Sequence, residues 1–486
     1  MLPVEGGALR KLQDNAGFAV LSADGSRIAF HRSAEIWVMN AEGGEPRRLL
    51  DAPPGYSFSE ALAWSPDGSS IAYGKRSQAG DEFAIESYDL NTGRTRVILS
   101  DAKIGGFCWV RDGRIIYARL EARPNETSAN LWEVRVGPGK ARVGAKPRRL
   151  SNWGGFLIGS LHISADGRRL SFVRQRFRHE IYVGQLEGNG DRLAALRRLT
   201  FDEWINWPTG WTPDSQAVLF YSDRNGDVDI FKQSVAARQA LPIVTGQEEK
   251  RDARMSPNGR WILYLAWPKE GERIRAGEGR LMRVAAGAGA PETVLRVSGY
   301  PGPVRALPDG TSPATSATGH PRFRCPSFPQ SPCVLSEQTQ NRVVFTAFDP
   351  VKGRQGEVAT INIEPRIPTF WDLSPDGGWI AFGSREEHSG QIRLVPLAGQ
   401  KPHTLSVRGW SRLESAAWAA DGQALFLTSY SSNGFPLLRV SLNGEVRPLH
   451  TGRYYTENPV PSPDGRYLAF GEITPEGNVW LIEDLR

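Results

Sequence analysis

The chain has 486 residues and a formal net charge of +6, with 59 basic and 53 acidic side chains. This charge is mild and scattered, and no Lys/Arg run resembles a nucleic-acid footprint, so the sequence argues against nucleic-acid binding. No stretch of about 20 apolar residues occurs, so we expect no membrane span. Residues 1–7 lack the basic and apolar regions of a signal peptide.

A five-residue turn box recurs along the chain. Its clearest copy runs from Trp64 to Gly68, with Ser65, Pro66 and Asp67 between them. Proline presets φ for a turn, aspartate caps its own backbone, and glycine accepts a positive φ without steric cost. A short apolar strand precedes the box and an alternating strand follows it, so each copy predicts a β-hairpin. The glycine position of the box, or its equivalent, falls at residues 25, 68, 113, 167, 215, 259, 377, 422 and 465.

One repeat can be read in full, as strands a to d. We predict strand a at 61–64, strand b at 71–75, strand c at 84–90 and strand d at 96–99. Most boxes are spaced by roughly 40 to 55 residues, and a repeat of about 40 to 45 residues with four short strands is typical of a β-propeller blade. The fold class is therefore predicted as all-β, built from four-stranded antiparallel blades.

The gap between the boxes at 259 and 377 is long enough for a further blade without the usual turn. Its strands are predicted at 322–324, 334–337, 343–348 and 357–363, and residues 299–321 are rich in Gly, Pro, Ser and Thr and predict a surface loop. This brings the number of blade-like units to ten.

The two ends of the chain suggest how the array closes. Residues 8–12 resemble a strand d without a blade before it, and residues 479–482 resemble a strand c without a strand d after it. Pairing the two segments would remove an exposed edge. We therefore predict one propeller over residues 1–486, closed by the N-terminal strand. The alternative is two smaller propellers, 1–250 and 251–486.

The boxes resemble the PD40, or TolB-like, branch of the WD40-type propellers. Two longer stretches, 199–226 and 323–377, resemble the C-terminal propeller region of bacterial Ser/Thr protein kinases and winged-helix regulators. This resemblance implies a sensor or interaction module of a bacterial signalling protein, with a ligand that it does not identify. It would lie outside the cytoplasm if detached from a membrane-anchored protein, and in the cytoplasm if complete as written.

No kinase loop, Gly-x-Ser-x-Gly elbow or His-Glu-x-x-His motif is present, so we predict a non-catalytic, monomeric protein. We predict no cofactor and no metal site, because the seven histidines are scattered. Residues 223–229 place oxygen-bearing side chains as a calcium loop would, but they fit a b-to-c hairpin better.

The d-to-a loops are the predicted binding rim, because Trp, Tyr and Arg dominate recognition hot spots. The alternative for each aromatic side chain is a structural role, in which it packs between neighbouring blades. The predicted binding residues are Trp153, Trp204, Trp207, Arg251, Trp410, Arg412, Tyr454 and Tyr455.

Cys325 and Cys333 flank the hairpin that lacks the turn box, so their Cβ atoms could come within bridging range. A disulfide there would replace the missing turn as a clamp in an oxidising compartment. The alternative is two buried free thiols. Cys108 is predicted to belong to the core.

Three functions remain open. A ligand- or protein-binding module needs aromatic and arginine side chains around its channel. A propeller-type hydrolase or lyase with an active site at the channel mouth needs two carboxylates, or a His with a carboxylate, within hydrogen-bond reach. A structural scaffold needs an exposed apolar patch on its outer strands.

Overall fold

The computed structural model describes residues 10–77, 82–121, 128–136, 146–270, 273–274, 278–287, 289–298, 321–328, 331–339, 341–364, 367–386, 389–431, 434–452 and 454–485. The chain divides into two compact units. Unit 1 comprises residues 1–176, 305–312 and 476–486, and unit 2 comprises residues 177–304 and 313–475. The described residues contain strands and turns but no helix, and hence none that could cross a membrane.

The strands that lie wholly in unit 1 precede residue 164. They are β1 (Gly17–Leu21), β2 (Arg27–Arg32), β3 (Glu35–Asn40), β4 (Arg47–Asp51), β5 (Tyr56–Trp64), β6 (Ser70–Ser77), β7 (Phe83–Asp89), β8 (Thr95–Ser100), β9 (Ile104–Trp109), β10 (Arg114–Leu120), β11 (Ala129–Arg135), β12 (Arg148–Arg149) and β13 (Leu157–Ile163). Two long strands, β14 (Leu170–Glu187) and β39 (Tyr467–Ile482), are divided between the units. The first part of β14 and the last part of β39 belong to unit 1, and the rest of each strand belongs to unit 2.

The strands that lie wholly in unit 2 follow β14. They are β15 (Arg192–Arg198), β16 (Asn206–Trp211), β17 (Ala217–Ser222), β18 (Asp229–Ser234), β19 (Leu241–Val244), β20 (Glu249–Met255), β21 (Trp261–Trp267), β22 (Lys269–Glu270), β23 (Arg273–Ile274), β24 (Gly279–Ala285), β25 (Glu292–Val297), β26 (Arg322–Arg324), β27 (Cys333–Gln338), β28 (Arg342–Asp349), β29 (Gly353–Asn362), β30 (Thr369–Leu373), β31 (Trp379–Ser384), β32 (Gln391–Pro396), β33 (His403–Ser406), β34 (Leu413–Trp418), β35 (Ala424–Ser429), β36 (Phe435–Ser441), β37 (Val446–Gly452) and β38 (Tyr455–Pro461).

The predicted fold class is confirmed by the sheets. Consecutive strands pair antiparallel into four-stranded sheets: β1–β4, β5–β8, β9–β12, β16–β19, β26–β29, β30–β33, β34–β37, and β20-β21-β24-β25, in which the small hairpin β22–β23 is an insertion. The repeat predicted in full is observed as β5 to β8, and the unusual strand a at 322–324 is observed as β26.

The turn boxes are held by their second and fourth residues, as the copy at Trp64–Gly68 shows. Ser65 Oγ donates to Asp67 Oδ1 at 2.6 Å and accepts from the backbone N–H of Ser70 at 2.9 Å. Asp67 Oδ1 also accepts from the backbone N–H of Ser69 at 3.0 Å, and Gly68 has a φ of +67°. These bonds to the charged form lower the pKa of Asp67, the bond from Ser65 most of all. The hairpin prediction is confirmed. Besides Pro, Asp and Gly, the serine stabilises the turn, because its hydroxyl makes two of these hydrogen bonds.

In unit 2 the first strand of each sheet lies next to the first strands of its neighbours. We call these six strands the inner strands: β16, β20, β26, β30, β34 and β38. Contacts connect β38 to β16, β16 to β20, β20 to β26, β30 to β34 and β34 to β38. An ion pair between Arg324 and Asp372 connects β26 to β30. The inner strands therefore follow one another in cyclic order.

The sheet that completes this cycle is assembled from distant parts of the chain. β38 pairs with the first part of β39, β39 pairs with β14, and the last part of β14 pairs with β15. Tyr182 of β14 stacks on Phe470 of β39 at 6.0 Å between ring centroids. The order β38-β39-β14-β15 repeats the a-to-d order of the other sheets, with two strands from each end of unit 2.

The core lies between neighbouring sheets. In unit 1, Phe83 and Ile85 of β7 pack with Ile115 and Tyr117 of β10, and all four side chains are almost fully buried. Burying one such side chain stabilises the fold by roughly 1.5–3 kcal/mol. Trp64 shows how the box contributes, because its Nε1–H donates to the carbonyl of Val20 in the neighbouring sheet at 3.1 Å.

The turn that lacks the box is closed by a disulfide bond between Cys325 and Cys333, whose Cα atoms are 4.2 Å apart. Cys333 is fully buried. The third cysteine, Cys108, is free, and burial raises its pKa to about 12, as suits a core thiol.

Of the two predictions about the chain ends, one is wrong and one is confirmed. Residues 10–12 form no strand, and Leu12 packs instead against Ile28, Phe30 and Met39 of the first sheet. Residues 479–482 lie in a strand as predicted, because they form the last part of β39, which pairs with β14 and is the third strand after β13 and β14.

The predicted pairing of residues 8–12 with residues 478–482 is thus absent among the described residues, and residues 8 and 9 lie outside them. The alternative boundary after residue 250 falls within β20 of unit 2 and does not coincide with the division between the units. Whether the whole array is one propeller or two stays a prediction.

Candidate functional site

A cavity of about 420 Å³ lies among the inner strands of unit 2, and all of its lining residues belong to that unit. Ligand pockets commonly measure about 300–1,000 Å³, so its size suits a small molecule. The charged and amide residues of its wall are Arg251, Asp252, Arg254, Arg322, Arg324, Asp372 and Asn458. Its aromatic residues are Trp211, Tyr221, Trp267 and Trp418.

Two inner strands are bulged where they meet the cavity. The register of β20 against β21 shifts between Arg251 and Arg254, and β38 has a comparable shift around Asn458. Asp252 and Asn458 adopt left-handed backbone conformations, with φ of +58° and +51°. Such residues cost about 1–3 kcal/mol each and cluster at functional sites. The bulges re-aim the strands and bring both side chains into the wall.

An ion pair ties three inner strands together on the wall. Arg324 Nε donates to Asp372 Oδ1 at 2.7 Å, and the backbone N–H of Trp418 donates to Asp372 Oδ2 at 2.8 Å. The side chains of Arg324 and Asp372 are 12% and 13% exposed. Both carboxylate oxygens are therefore occupied, and the charge of Arg324 is compensated.

Arg254 is a half-buried arginine whose Nε atom is enclosed. Its Nε–H has no hydrogen-bond partner among the described residues. Burial lowers the pKa of Arg254 to about 10, and the neighbouring charge of Arg324 acts in the same direction. A buried donor without an acceptor costs about 1–3 kcal/mol.

Arg322 completes the cluster of arginines. Burial lowers its pKa, the negative charge of Asp252 opposes this shift, and the charge of Arg324 adds to it. The wall thus concentrates positive charge around Arg254 and Arg322.

Arg251 is positioned by buried charges behind the wall. Its Nη2 lies 2.9 Å from Glu249 Oε1, and Lys269 Nζ lies 2.9 Å from Glu249 Oε2. Burial acts to raise the pKa of Glu249, but the charges of Arg251 and Lys269 outweigh it and lower the pKa. Glu249 therefore stays ionised and compensates Arg251.

The tryptophans differ in how their indole N–H groups are used. Trp211 Nε1 donates to the carbonyl of Val460 at 2.8 Å, a contact between two inner strands. Trp418 Nε1 is buried and has no partner among the described residues. Trp211 thus joins neighbouring sheets, whereas the enclosed N–H of Trp418 forms no hydrogen bond with the described residues.

The cavity extends to the rim formed by the turns between first and second strands. Prolines from five of these turns line it: Pro213, Pro257, Pro326, Pro375 and Pro463. The turns that close the hairpins therefore also contribute to the wall.

Of the eight residues predicted on the d-to-a loops, Arg251 lines the cavity. Trp207 stacks on the wall residue Tyr221, with ring centroids 6.4 Å apart, and lies 5.4 Å from the ring of His179. Trp204 is 41% exposed. The predicted rim therefore adjoins the cavity at Tyr221.

The remaining predicted residues of unit 2 take part in packing. Trp410 lies against a buried cluster, and Tyr455 lies 4.3 Å from Phe435, centroid to centroid. Arg412 Nε donates to Glu414 at 2.8 Å. Tyr454 is half-buried.

Trp153 lies in unit 1. Its ring stacks on Phe172 at 5.5 Å, and the Arg174 guanidinium lies 5.0 Å from its centroid. These contacts fit the structural alternative, in which Trp153 packs against its neighbours. The use of the whole loop rim for binding stays a prediction.

Three arginines of the cavity wall, Arg254, Arg322 and Arg324, were missed by sequence reasoning, but a signal was present for some of the wall residues. Arg254 and Asp372 each lie two residues before a box serine, and Asp372 is the charged residue of β30, whose other residues are Thr, Phe, Trp and Leu. Arg322 and Arg324 alternate on either side of the buried Phe323. A period of two on an inner strand points such side chains to one face.

The enzyme hypothesis requires two carboxylates within hydrogen-bond reach, and the two carboxylates of the cavity wall are Asp252 and Asp372. Asp372 is bonded to Arg324, and no hydrogen bond joins it to Asp252 among the described residues. Glu457 is buried beside Asn458, and burial raises its pKa.

The described residues hold no group of three or more His, Cys, Asp or Glu side chains suited to a metal ion. In the segment compared with a calcium loop, Asp227 and Asp229 pair with Lys269 and Lys250, at 3.0 and 2.9 Å. The segment forms the turn between β17 and β18, as its hairpin interpretation predicted.

No family model matches the chain. An uncharacterized protein of Agrobacterium fabrum is 27% identical over 211 residues, which are 41% of this chain and 65% of that protein. A tricorn protease homolog of Streptomyces coelicolor is 31% identical over 94 residues, 18% of this chain and 8% of the homolog. The chain thus spans less than two thirds of either relative.

Among solved structures, TolB from Acinetobacter baumannii has a TM-score of 0.25 and 15% identity, covering 70% of this chain and 64% of TolB. An oligogalacturonate lyase in complex with manganese has a TM-score of 0.30 and 13% identity, covering 75% of this chain and 82% of the lyase. These neighbours are β-propeller proteins, as the predicted TolB-like resemblance implies. The narrower resemblance to kinases and winged-helix regulators stays a prediction.

Proposed function

We propose that the protein is a non-catalytic binding module that holds a small anionic ligand in the cavity of unit 2. In this proposal unit 2 is a six-bladed propeller closed by the sheet β38-β39-β14-β15. The cyclic order of the inner strands supports that closure. The role of the module would be that of a sensor in a bacterial signalling protein.

The observation that carries the proposal is Arg254. Arg254 lines the cavity without an ion-pair partner among the described residues, and the charges of Arg324 and Arg322 help to lower its pKa. Because an unpaired buried charge is unfavourable, the arrangement favours an anion that bonds to Arg254.

The test is anion-dependent thermal stability. We expect benzoate or phosphate to raise the melting temperature of the wild-type protein, since a ligand that binds only the folded state stabilises it. Arg254→Met should abolish the increase. Arg393→Met, a change at an exposed arginine of β32, is the matched control and should preserve it. Equal responses of both variants, or no response of the wild type to any anion, would refute the proposal.

The loop rim is proposed as a separate surface for a protein partner. Trp204 is exposed there, and Trp207 and Tyr455 are half-buried. A Trp204→Ala/Trp207→Ala/Tyr455→Ala variant that still folds should lose the partner in a pull-down. Equal binding by the variant and the wild type would remove this surface.

The alternative is a hydrolase or lyase that uses the channel. It is favoured by one observation, the buried Glu457 whose raised pKa would suit a general acid. Turnover of a bound ligand by the wild type, lost in Glu457→Gln with binding retained, would replace the binding-module proposal by this one.

A further inference from the structure

Five polar side chains of the cavity wall form neither a hydrogen bond nor an ion pair within the part of the chain that the structure describes. They are Tyr221, Asp252, Arg254, Arg322 and Asn458, and each is half-buried. Arg254 Nε is enclosed, but no other nitrogen or oxygen atom of these side chains is among the described atoms that are both enclosed and unpaired. Their other polar atoms are therefore accessible to a ligand.

The accessible surface of these side chains faces the cavity. Burial is the main reason why the pKa of Tyr221 is raised and why the pKa values of Arg254 and Arg322 are lowered. The three groups are thus surrounded by protein, although each is only half-buried and lines the cavity. A group that is surrounded by protein and still accessible exposes its surface to an internal space.

Asp252 lies within electrostatic reach of three of the other groups. Its negative charge opposes the effect of burial on the pKa of Arg254 and of Arg322, and it acts with burial on the pKa of Tyr221. Asp252 nevertheless forms no ion pair with either arginine among the described residues. The opposite charges therefore face one cavity without neutralising each other by direct contact.

The bulge that carries Asp252 does not by itself require an aspartate. Asp252 and Asn458 have φ of +58° and +51°, and each lies four residues before a box serine. In unit 1 the same position has the same conformation but carries Phe18, with φ of +45°, and Ser160, with φ of +51°. The backbone conformation thus tolerates different side chains, and the carboxylate of Asp252 contributes its charge to the cavity.

The set of unpaired groups is complementary to a ligand with two functional groups. A guanidinium only donates hydrogen bonds, whereas an ionised carboxylate only accepts them. A simple carboxylate would bind to Arg254 and Arg322 but would be repelled by Asp252. A hydroxyl next to the ligand's carboxylate would donate to Asp252 and remove this conflict. An ammonium would also donate, but the two arginines would repel it, so a neutral donor is favoured.

We propose that the ligand is an α-hydroxycarboxylate, with Arg254 and Arg322 binding its carboxylate and Asp252 accepting the hydrogen bond of its hydroxyl. This inference rests on the proposed function, because it assigns a chemical class to the anion of the same cavity. Asp252 is in this view a residue that determines specificity.

The experiment compares four phenyl compounds of similar shape by isothermal titration calorimetry on the full chain. A phenyl group suits a wall that includes Trp211, Trp267 and Leu265, and the compounds are small for a cavity of about 420 Å³. The compounds are mandelate, phenylacetate without the hydroxyl, phenylglycine with an ammonium in its place, and the neutral mandelamide. We expect mandelate to bind most tightly and the other three about tenfold more weakly or worse, since each lacks one favourable contact.

Two variants assign the contacts. Asp252→Asn keeps the shape of the side chain and a residue type that tolerates a positive φ, but it removes the charge. It should reduce the preference for mandelate over phenylacetate to about threefold or less, and phenylacetate should bind more tightly because the repulsion is gone. The matched control, Glu445→Gln, removes a negative charge from an exposed ion pair outside the cavity wall and should keep the preference. Arg322→Met should weaken both carboxylates by about tenfold or more.

The outcomes separate this inference from the proposed function. Equal binding of mandelate and phenylacetate, still dependent on Arg254, would overturn the hydroxycarboxylate assignment and leave an anion site. Tighter binding of phenylglycine than of mandelate would overturn it in favour of a zwitterion. An unchanged preference in Asp252→Asn would overturn the contact with Asp252. Failure of every anion to bind would overturn the proposed function itself.

Discussion

Replacing Asp372 by alanine tests whether its ion pair holds the cavity wall. The substitution leaves the guanidinium of Arg324, 12% exposed, without its partner at 2.7 Å. It also leaves the backbone N–H of Trp418 without its acceptor at 2.8 Å. Breaking a buried pair from one side costs about 3–5 kcal/mol. Because both side chains keep some contact with the cavity, we expect the free energy of unfolding to fall by about 3 kcal/mol.

Urea denaturation followed by tryptophan fluorescence measures this loss. The matched control is Glu445→Ala, which breaks an ion pair with Arg447 whose side chains are 57% and 48% exposed. Such a pair contributes less than about 1 kcal/mol. Arg324→Met combined with Asp372→Ala should cost less than the sum of the single changes, by about 0.5–3 kcal/mol. A loss below about 1 kcal/mol for Asp372→Ala, or strict additivity, would refute the reasoning.

Three further predictions concern the turns. Ser65→Ala removes two hydrogen bonds of 2.6 and 2.9 Å and should lower the free energy of unfolding by about 1–2 kcal/mol in the same denaturation assay. The pKa of Asp24 is lowered from 3.8 to about 2, first by the hydrogen bond from a box serine, so its ionised form stabilises the fold above pH 3.8 and this contribution is lost as the pH falls towards 2. The melting temperature of Asp24→Asn should depend less on pH in that range, and an unchanged dependence would contradict the assignment. Cys325→Ser/Cys333→Ser opens a loop with a sequence separation of 8 and should cost about 2–3 kcal/mol, and a reductant should lower the melting temperature of the wild type but not of this variant.

The local structure was predictable because each turn is specified by neighbouring residues. The Ser65 box contains its own donors, acceptors and glycine, and β5 to β8 follow from it within a few residues of the predicted bounds. The pairing of β39 with β14 could not be predicted in the same way. It joins residues about 300 positions apart in sequence, as the ion pair between Arg176 and Glu476 illustrates, and no local propensity encodes a partner so distant.

The candidate site was predicted less well than the fold. Arg251 was predicted because it follows directly on a d-to-a loop. Arg254 and Trp418 were not predicted, because they lie further along their strands. Their importance comes from the convergence of six inner strands on one cavity. Whether Trp418 Nε1 finds a partner depends on that convergence and not on the residues beside it in sequence.

The hydrogen bonds of the turn box leave one of its positions open to change. Ser65 and Asp67 carry the bonds, whereas the residue between them is Pro66 here but alanine or arginine in copies such as those at residues 23 and 111. In unit 2 the equivalent position reaches the cavity from five separate turns. A library restricted to those positions could therefore alter ligand preference while leaving the framework intact, which makes the array a convenient starting point for engineered receptors.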